Sequence, residues 1–407
     1  MKFYFDALKD GVSNMNAHAR TDEYWGAVSP GSIIQPTLRN LNLEMSEVAD
    51  IGSQRGIYFI DVDGDPHCWT GRCQADGGPK HVVEYIPIHI LELVRNRQLR
   101  LVIASDKEGY PFVYEDTDCF KLTNDAMHKH NLPIGSVYIM HGSQTIKDEY
   151  ESWLQTTAYP RMFEVAYSNH FLKIFWSDLP TSPLINDAMQ NSESKSFNSL
   201  NRVYRSHRNA HVTRLGILNL LDYGLVSCNS VSEGKDARAV QLLGADFARE
   251  KQFAPRYVDG DWKDTNAANQ FNDFVYKNSL LTVVTETLFF ESSVFITEKL
   301  FKPLVLGHPF ITVASKGTLR GLESLGFRTD FGLFSKPYDL IDDPVERFNA
   351  IHENISEWTN LSREEQLQRL HYAMPAIEHN FNWARSSDFY GDALRTCLAA
   401  AENYFES

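Results

Sequence analysis

Apolar residues fall along the chain in short bursts, and two kinds of burst alternate. From Gly56, GIYFIDVDGD reads as a strand ending in acidic turn residues, and HVVEYIPIHILELVRNRQ follows with apolar residues at helical spacing. LRLVIASDKEGYPF is a second strand, running into a loop with Asp106, Glu108 and Gly109. After another helix SVYIMHGSQ is a strand ending at His141, and FEVAYSNHFLKIFW adds one or two more. The first 50 or so residues are polar and irregular, and read as surface or as a segment reaching over a cleft. Strands alternating with helices predict an α/β fold with a parallel, doubly wound sheet.

Between about Ser177 and Phe197 the pattern lapses into Pro, Ser and Asn, which is the composition of a linker. A second α/β series follows it. FNSLNRVYRSHRNAHVTRLGILNLLDYGLVS opens that series, and two or three helices end it. At 407 residues the chain exceeds what one core usually supports. Two domains are therefore expected, residues 1–180 and 181–407.

The most informative stretch lies in the second series, from Thr285 to Val313. VVTETLFF reads as a buried strand with a turn, and PFITV as a second short strand. Between them Thr297 can cap a helix with Glu298 in its first turn, Leu300, Phe301, Leu304 and Val305 on one face, and Gly307 at its end. Such a βαβ unit points Glu298 and Lys299 toward the carboxyl edge of a parallel sheet, where ligands of open α/β sheets sit. A lysine beside the positive end of a helix makes sense if an anion binds there. Otherwise Glu298 only caps the dipole and Lys299 is solvated surface.

A second group, Asn201, Arg202, Arg205, His207, Arg208 and Arg214, precedes the apolar run that begins at Leu215 and so falls in a loop and the first turns of a helix. Four arginines there oppose the dipole preference for acids, and arginine suits bidentate phosphate contacts. The other explanation is pairing with some of the 53 Asp and Glu residues. Glu298 and Lys299, with Glu286 and Glu291 nearby, suit a nucleotide diphosphate, the acid on the ribose hydroxyls and the lysine on the phosphates. No GxxxxGK[ST] and no GxGxxG occurs, which disfavours P-loop and dinucleotide enzymes.

Composition then narrows the setting. A net charge of −14 argues against a surface-wide grip on nucleic acid or anionic lipid. Five scattered cysteines without a CxxC pair suit a reducing compartment and no zinc site. The N-terminus lacks the apolar run of a signal peptide, and no stretch of about 18 apolar residues occurs. A soluble, cytoplasmic protein without a membrane span is expected.

TLFFESSVFITEKLFKPLVLGHPFI resembles the donor-binding signature of the α1,3-fucosyltransferase-like glycosyltransferases: a FENS segment, then Tyr, Ile or Val, Thr, Glu, Lys, and a helix ending in Gly before a short strand. SLNRVYRSHRNAHVTRLGILNLLDYGLVS is similar to the first strand and helix of that domain, where an Arg follows an Asn by seven residues. The likeness covers roughly residues 197–330. Viral and bacterial glycosyltransferase-like proteins share the pairing of an NR-x-x-R-x-H-R segment with TEK-x-F-K-P, which puts a virus-encoded protein in the host cytoplasm within range.

The resemblance implies a GT-B fold, two Rossmann-like domains facing across a cleft, with a UDP- or GDP-sugar on the second. Arg208 matches the arginine on the diphosphate, Glu298 the glutamate on the ribose and Lys299 the lysine on the phosphates. Asn201, Arg202, Arg205, Glu291 and Thr297 complete the expected donor site. Phe295 stands where the family often has Tyr, and the spacing from Glu291 to Glu298 is shorter than the family's. Inverting transfer needs a base for the acceptor hydroxyl and cations for the leaving diphosphate, so no metal is required if Arg and Lys take that charge. The base candidates are Glu108, Asp106 and His141, with Glu108 preferred because it follows LRLVIAS beside Gly109.

Two other readings compete. IYFIDVDGD resembles the nucleophile motif of haloacid dehalogenase-like phosphatases, with Asp61 attacking phosphorus and Asp63 as acid and base, although Asp65 stands where Thr is usual. A glycosyltransferase acting on hydroxymethylated bases in DNA would need a basic groove, and the cations between residues 95 and 130 can supply part of one. A glycan or lipid-linked acceptor suits the same residues.

Overall fold

The computed structural model describes residues 2–5, 45–47, 50–61, 81–105, 109–114, 117–169, 171, 179–201, 203–228, 236–246 and 272–407. The chain divides into two compact units: Met1–His170 together with Asp388–Ser407, and Phe171–Ser387. Each is built on a parallel sheet, so the chain is α/β as its pattern predicts.

Unit 1 holds β1 (Lys2–Phe5), β2 (Met45–Glu47), β3 (Gly56–Asp61), β4 (Leu99–Ser105), the small antiparallel hairpin β5 (Val113–Tyr114) and β6 (Thr117–Asp118), β7 (Val137–His141) and β8 (Glu164–Tyr167). The main sheet runs β2-β1-β3-β4-β7-β8, every pair parallel. Strands buried on both faces are continuously apolar, and all seven residues of β4 are buried. Alternation then assigns the faces. Tyr58, Ile60, Leu101, Ile103, Val137 and Ile139 join one core, with α1 (Ile88–Arg95), α2 (Cys119–Lys129) and α3 (Ile146–Thr156). Ile57, Phe59, Val102, Ala104, Tyr138 and Met140 join the other.

That second core is completed by the C-terminal helix, Phe389–Glu406, through Tyr390, Leu394, Cys397, Ala401, Tyr404 and Phe405. Arg100, fully buried, ties the same face together: its Nε donates to the Gly135 carbonyl at 2.8 Å and its Nη2 to Glu164 at 2.6 Å, and its guanidinium lies over the Tyr138 and Tyr404 rings. The stretch read as one helix from His81 splits at Pro87. Ile86 before it is extended, as a residue before proline prefers, so a short 3₁₀ turn (Val82–Tyr85) precedes α1.

Unit 2 runs α4 (Ile185–Gln190), β9 (Phe197–Asn201), α5 (Ser206–Ile217), β10 (Gly224–Cys228), α6 (Ala237–Leu243), α7 (Asp273–Lys277), β11 (Thr282–Thr285), α8 (Glu298–Leu306), β12 (Phe310–Val313), α9 (Thr318–Ser324), α10 (Pro344–Asn360) and α11 (Arg363–Ser386). Its sheet is β10-β9-β11-β12, all parallel. The chain therefore moves outward from β9 to β10, then restarts on the other side of β9 with β11. That reversal is a switch point, where the carboxyl ends of an open α/β sheet leave a crevice for ligand. The stretch expected as a linker contains α4, with Leu184, Ile185 and Ala188 buried and Leu184 N–H bonded to the Leu306 carbonyl at 2.8 Å.

Candidate functional site

The carboxyl ends of β9 and β11 flank the switch point, and both sequence motifs begin there. β9 ends at Asn201 and leads to α5, which starts at Ser206 rather than near Leu215. Arg208 thus lies in the first turn, while Arg214 lies in the last turn, bonded to the Leu242 carbonyl at 3.2 Å and away from the arginine group. β11 ends at Thr285, and Glu286 follows it.

Glu286 joins the two motifs. Its backbone carbonyl accepts from Arg208 Nη2 at 3.0 Å and from His207 Nε2 at 2.9 Å. Its buried carboxylate accepts from the Thr297 N–H at 3.0 Å and the Thr297 hydroxyl at 2.6 Å. Burial pushes this carboxyl upward and nearby Lys299 pulls it back, leaving it above the ordinary glutamate value. Thr285 Oγ1 meanwhile donates to Asn201 Oδ1 at 2.7 Å, so two consecutive residues at the end of β11 fasten β9, α5 and α8.

α8 forms as its cap residues predict. Thr297 is the N-cap, accepting from the Lys299 N–H, and Gly307 closes the helix in the left-handed region at φ 65°. Glu298 and Lys299 form an ion pair at 2.6 Å with side chains 14% and 29% exposed, so the pair reaches solvent at the helix start. Burial raises the Glu298 carboxyl, but Lys299 beside it, Lys302 and a backbone hydrogen bond together outweigh burial and the net shift is downward. Glu298 is therefore ionised at neutral pH, and both its oxygens act only as acceptors.

The remaining expected donor-site residues divide by what they touch. Arg208 is buried, with Nη1 on the Val203 carbonyl at 3.1 Å besides its bond to Glu286. Arg205 caps α5 without a side-chain bond, and its Nε is buried without a hydrogen-bond partner. The guanidinium thus belongs to a residue at the positive end of a helix. Asn201 turns inward: its amide donates to Ser227 O on β10 and to Ser199 on its own strand, and with the Thr285 bond from β11 it pins three strand ends. Glu291 closes its own turn, accepting from the Phe289 and Phe290 N–H groups, and pairs with Arg238 at 2.7 Å. Phe295 is buried against Phe171. Arg202 lies outside the described residues.

In unit 1, Asp106, Glu108 and Asp63 lie outside the described residues, as does the side chain of Asp61. His141 ends β7, opposite Ser105 at the end of β4. It is buried, its pKa is lowered by that burial to about 3, and Phe112 packs edge-on against its ring. Its Nδ1 accepts from the Ser143 N–H at 3.1 Å, so the neutral ring carries its proton on Nε2, an atom without a partner. In this state His141 offers a donor.

Sequence reasoning named Glu286 and His207 beside the two motifs but did not see that they meet, with His207 also stacked on Phe289 at 5.6 Å. The signal for Glu286 was present: a carboxylate placed directly after the buried run Leu281–Thr285 has to find donors. Among the described residues no group of three or more His, Cys, Asp or Glu is arranged to hold a metal, and no helix is long and apolar enough to cross a membrane.

No family model and no curated protein matches the sequence. Among solved structures, the chain is similar to an α,α-trehalose 6-phosphate synthase from Burkholderia multivorans at a TM-score of 0.38 and 10% identity, over 86% of this chain and 72% of that one. It is similar also to a sucrose-phosphate synthase from Thermosynechococcus elongatus at a TM-score of 0.33 and 11% identity, over 87% of this chain and all of that one. The α/β class of this chain rests on its own two parallel sheets.

Proposed function

We propose that the chain is a glycosyltransferase of GT-B type that binds a nucleotide-diphosphate sugar at the carboxyl ends of β9 and β11 and passes the sugar, with inversion, to an acceptor hydroxyl. The carrying observation is the junction at Glu286, where Arg208 from one motif and Thr297 from the other meet on a single residue at a switch point. In this reading Lys299 and Arg205 take the diphosphate charge, and Glu298 accepts from the ribose hydroxyls. Stabilising charge on the leaving diphosphate by side-chain cations is the chief requirement of such a step. The base is proposed among Glu108, Asp106 and His141. The tautomer of His141 favours the two carboxylates for proton removal and leaves the histidine as a donor to a substrate oxygen. The acceptor is a glycan hydroxyl or a hydroxymethylated base in DNA.

Calorimetry against UDP, GDP, CMP and ADP tests the reading. At least one nucleotide is expected to bind, and Lys299→Ala and Glu298→Ala each to weaken it by about tenfold, the scale of one charge-assisted contact. Absence of binding by all four, with both variants indistinguishable from the parent protein, would refute it. Duplex DNA decides the acceptor class: binding that falls steeply with salt supports a modified base, and none at low salt leaves the glycan.

A further inference from the structure

Glu286 makes bonds whose directions are all fixed by chemistry. Thr297 N–H donates to Oε1 at 3.0 Å, Thr297 Oγ1 to Oε2 at 2.6 Å, and Thr287 N–H to Oε2 at 3.1 Å. An amide N–H and an ammonium can only donate, so Thr297 Oγ1 must accept from Lys299 N at 3.3 Å and from Lys299 Nζ at 3.2 Å. Its single proton is left for Glu286. The carboxylate thereby turns the Thr297 lone pairs toward Lys299. On its backbone side the same residue accepts from Arg208 at 3.0 Å.

We propose that Glu286 is a positioning residue for the diphosphate, setting the place of the Lys299 ammonium through the Thr297 hydroxyl while its carbonyl fixes Arg208. The inference rests on the nucleotide-sugar reading and deepens it. Cap stabilisation alone would need only one acceptor on the Thr297 N–H, and it would not require the hydroxyl proton to be drawn away from Lys299. Glu298 also holds Nζ, at 2.6 Å, so loss of the Glu286 contact displaces the ammonium without releasing it.

The test measures inorganic pyrophosphate binding to the full chain by calorimetry, since pyrophosphate carries the diphosphate without base or sugar. Glu286→Gln replaces one carboxylate oxygen by an NH₂ that meets a group already donating. It is expected to weaken pyrophosphate about tenfold in the parent background, but less than about twofold when Lys299→Ala is already present, because the effect travels through Lys299. Thr297→Val, which keeps shape and removes the hydroxyl, is expected to copy it and serves if Glu286→Gln does not fold. Gly332→Ala, outside the site, is expected to lower thermal stability and leave affinity unchanged. Equal weakening by Glu286→Gln in both backgrounds, or parent-like affinity despite a lower Tm, overturns the positioning role while leaving the nucleotide reading intact. Failure of the parent protein to bind either pyrophosphate or any nucleoside diphosphate overturns that reading, and this inference with it.

Discussion

Replacing Gly307 by Ala probes the far end of α8 from the candidate site. Gly307 sits at φ 65°, and its N–H closes the helix onto the Pro303 and Leu304 carbonyls. A Cβ added there would lie 2.5 Å from Pro183 Cβ, 2.7 Å from Pro183 Cα and 3.0 Å from Phe381 Cδ2. Pro183 cannot step back cheaply, because the next residue is bonded to the Leu306 carbonyl at 2.8 Å. The left-handed conformation alone costs an alanine about 1–2 kcal/mol. Overpacking against a fixed wall adds about 1–3 kcal/mol. Gly332, also at φ 65° but with nothing near its added Cβ, carries the first cost without the second. Gly307→Ala should therefore lower the melting temperature of unit 2 by about 5–15 °C, and Gly332→Ala by about 2–6 °C. Urea titration followed by circular dichroism gives the difference directly. Equal losses in the two variants would show that the Pro183 wall yields, and would refute the steric half of the argument.

Acid should unfold the protein before its carboxylates protonate. His207 has a folded pKa near 3 and His308 and His352 near 4, all lowered by burial, and His211 is lowered likewise. A histidine depressed below its ordinary 6.5 contributes stability that is complete above pH 6.5 and lost as pH falls toward the folded value, about 1 kcal/mol per histidine per pH unit. A urea midpoint that stays flat from pH 7.5 to 5.5 would contradict this. Leu394→Ala, at a fully buried position of the C-terminal helix, should cost about 2–5 kcal/mol of unit 1 stability, and a loss below 1 kcal/mol in chemical denaturation would mean that the helix is not held there. Thr285→Val leaves Asn201 Oδ1 without its 2.7 Å donor and should cost about 1–3 kcal/mol, read by the same titration; no change would show that Asn201 finds another donor.

What the sequence made legible was local. α8 could be read from Thr297 to Gly307 because a cap, an apolar face and a terminal glycine are all short-range signals. β4 was legible because its run from Leu101 to Ala104 is apolar without interruption. β9 is the opposite case: FNSLN sits in the middle of the sheet with Asn198 bonded to Ser279 and Thr282, and Ser199 to His211. The polarity of Asn198 is satisfied by residues more than 80 positions along the chain, which no window of sequence contains. The start of α5 was misplaced for a related reason, since His207, Arg208, Asn209, His211 and Thr213 are polar yet buried. Asn201 and Glu291, expected at a ligand, are bonded to the protein itself. The motif carried their spacing and not their direction.

The C-terminal helix gives unit 1 an unusual schedule. The strands that bear Phe3, Ile57, Phe59, Val102 and Met140 leave the ribosome early, but the helix that covers them is made after all of unit 2. At ordinary translation rates of about 5–20 residues per second, that face waits roughly 10–40 s for its cover. During the interval it is an apolar surface in search of a partner, so a nascent chain paused anywhere in unit 2 presents a holdase chaperone with a defined target. Slow codons in unit 2 should therefore lower the yield of folded unit 1, a domain that they do not encode.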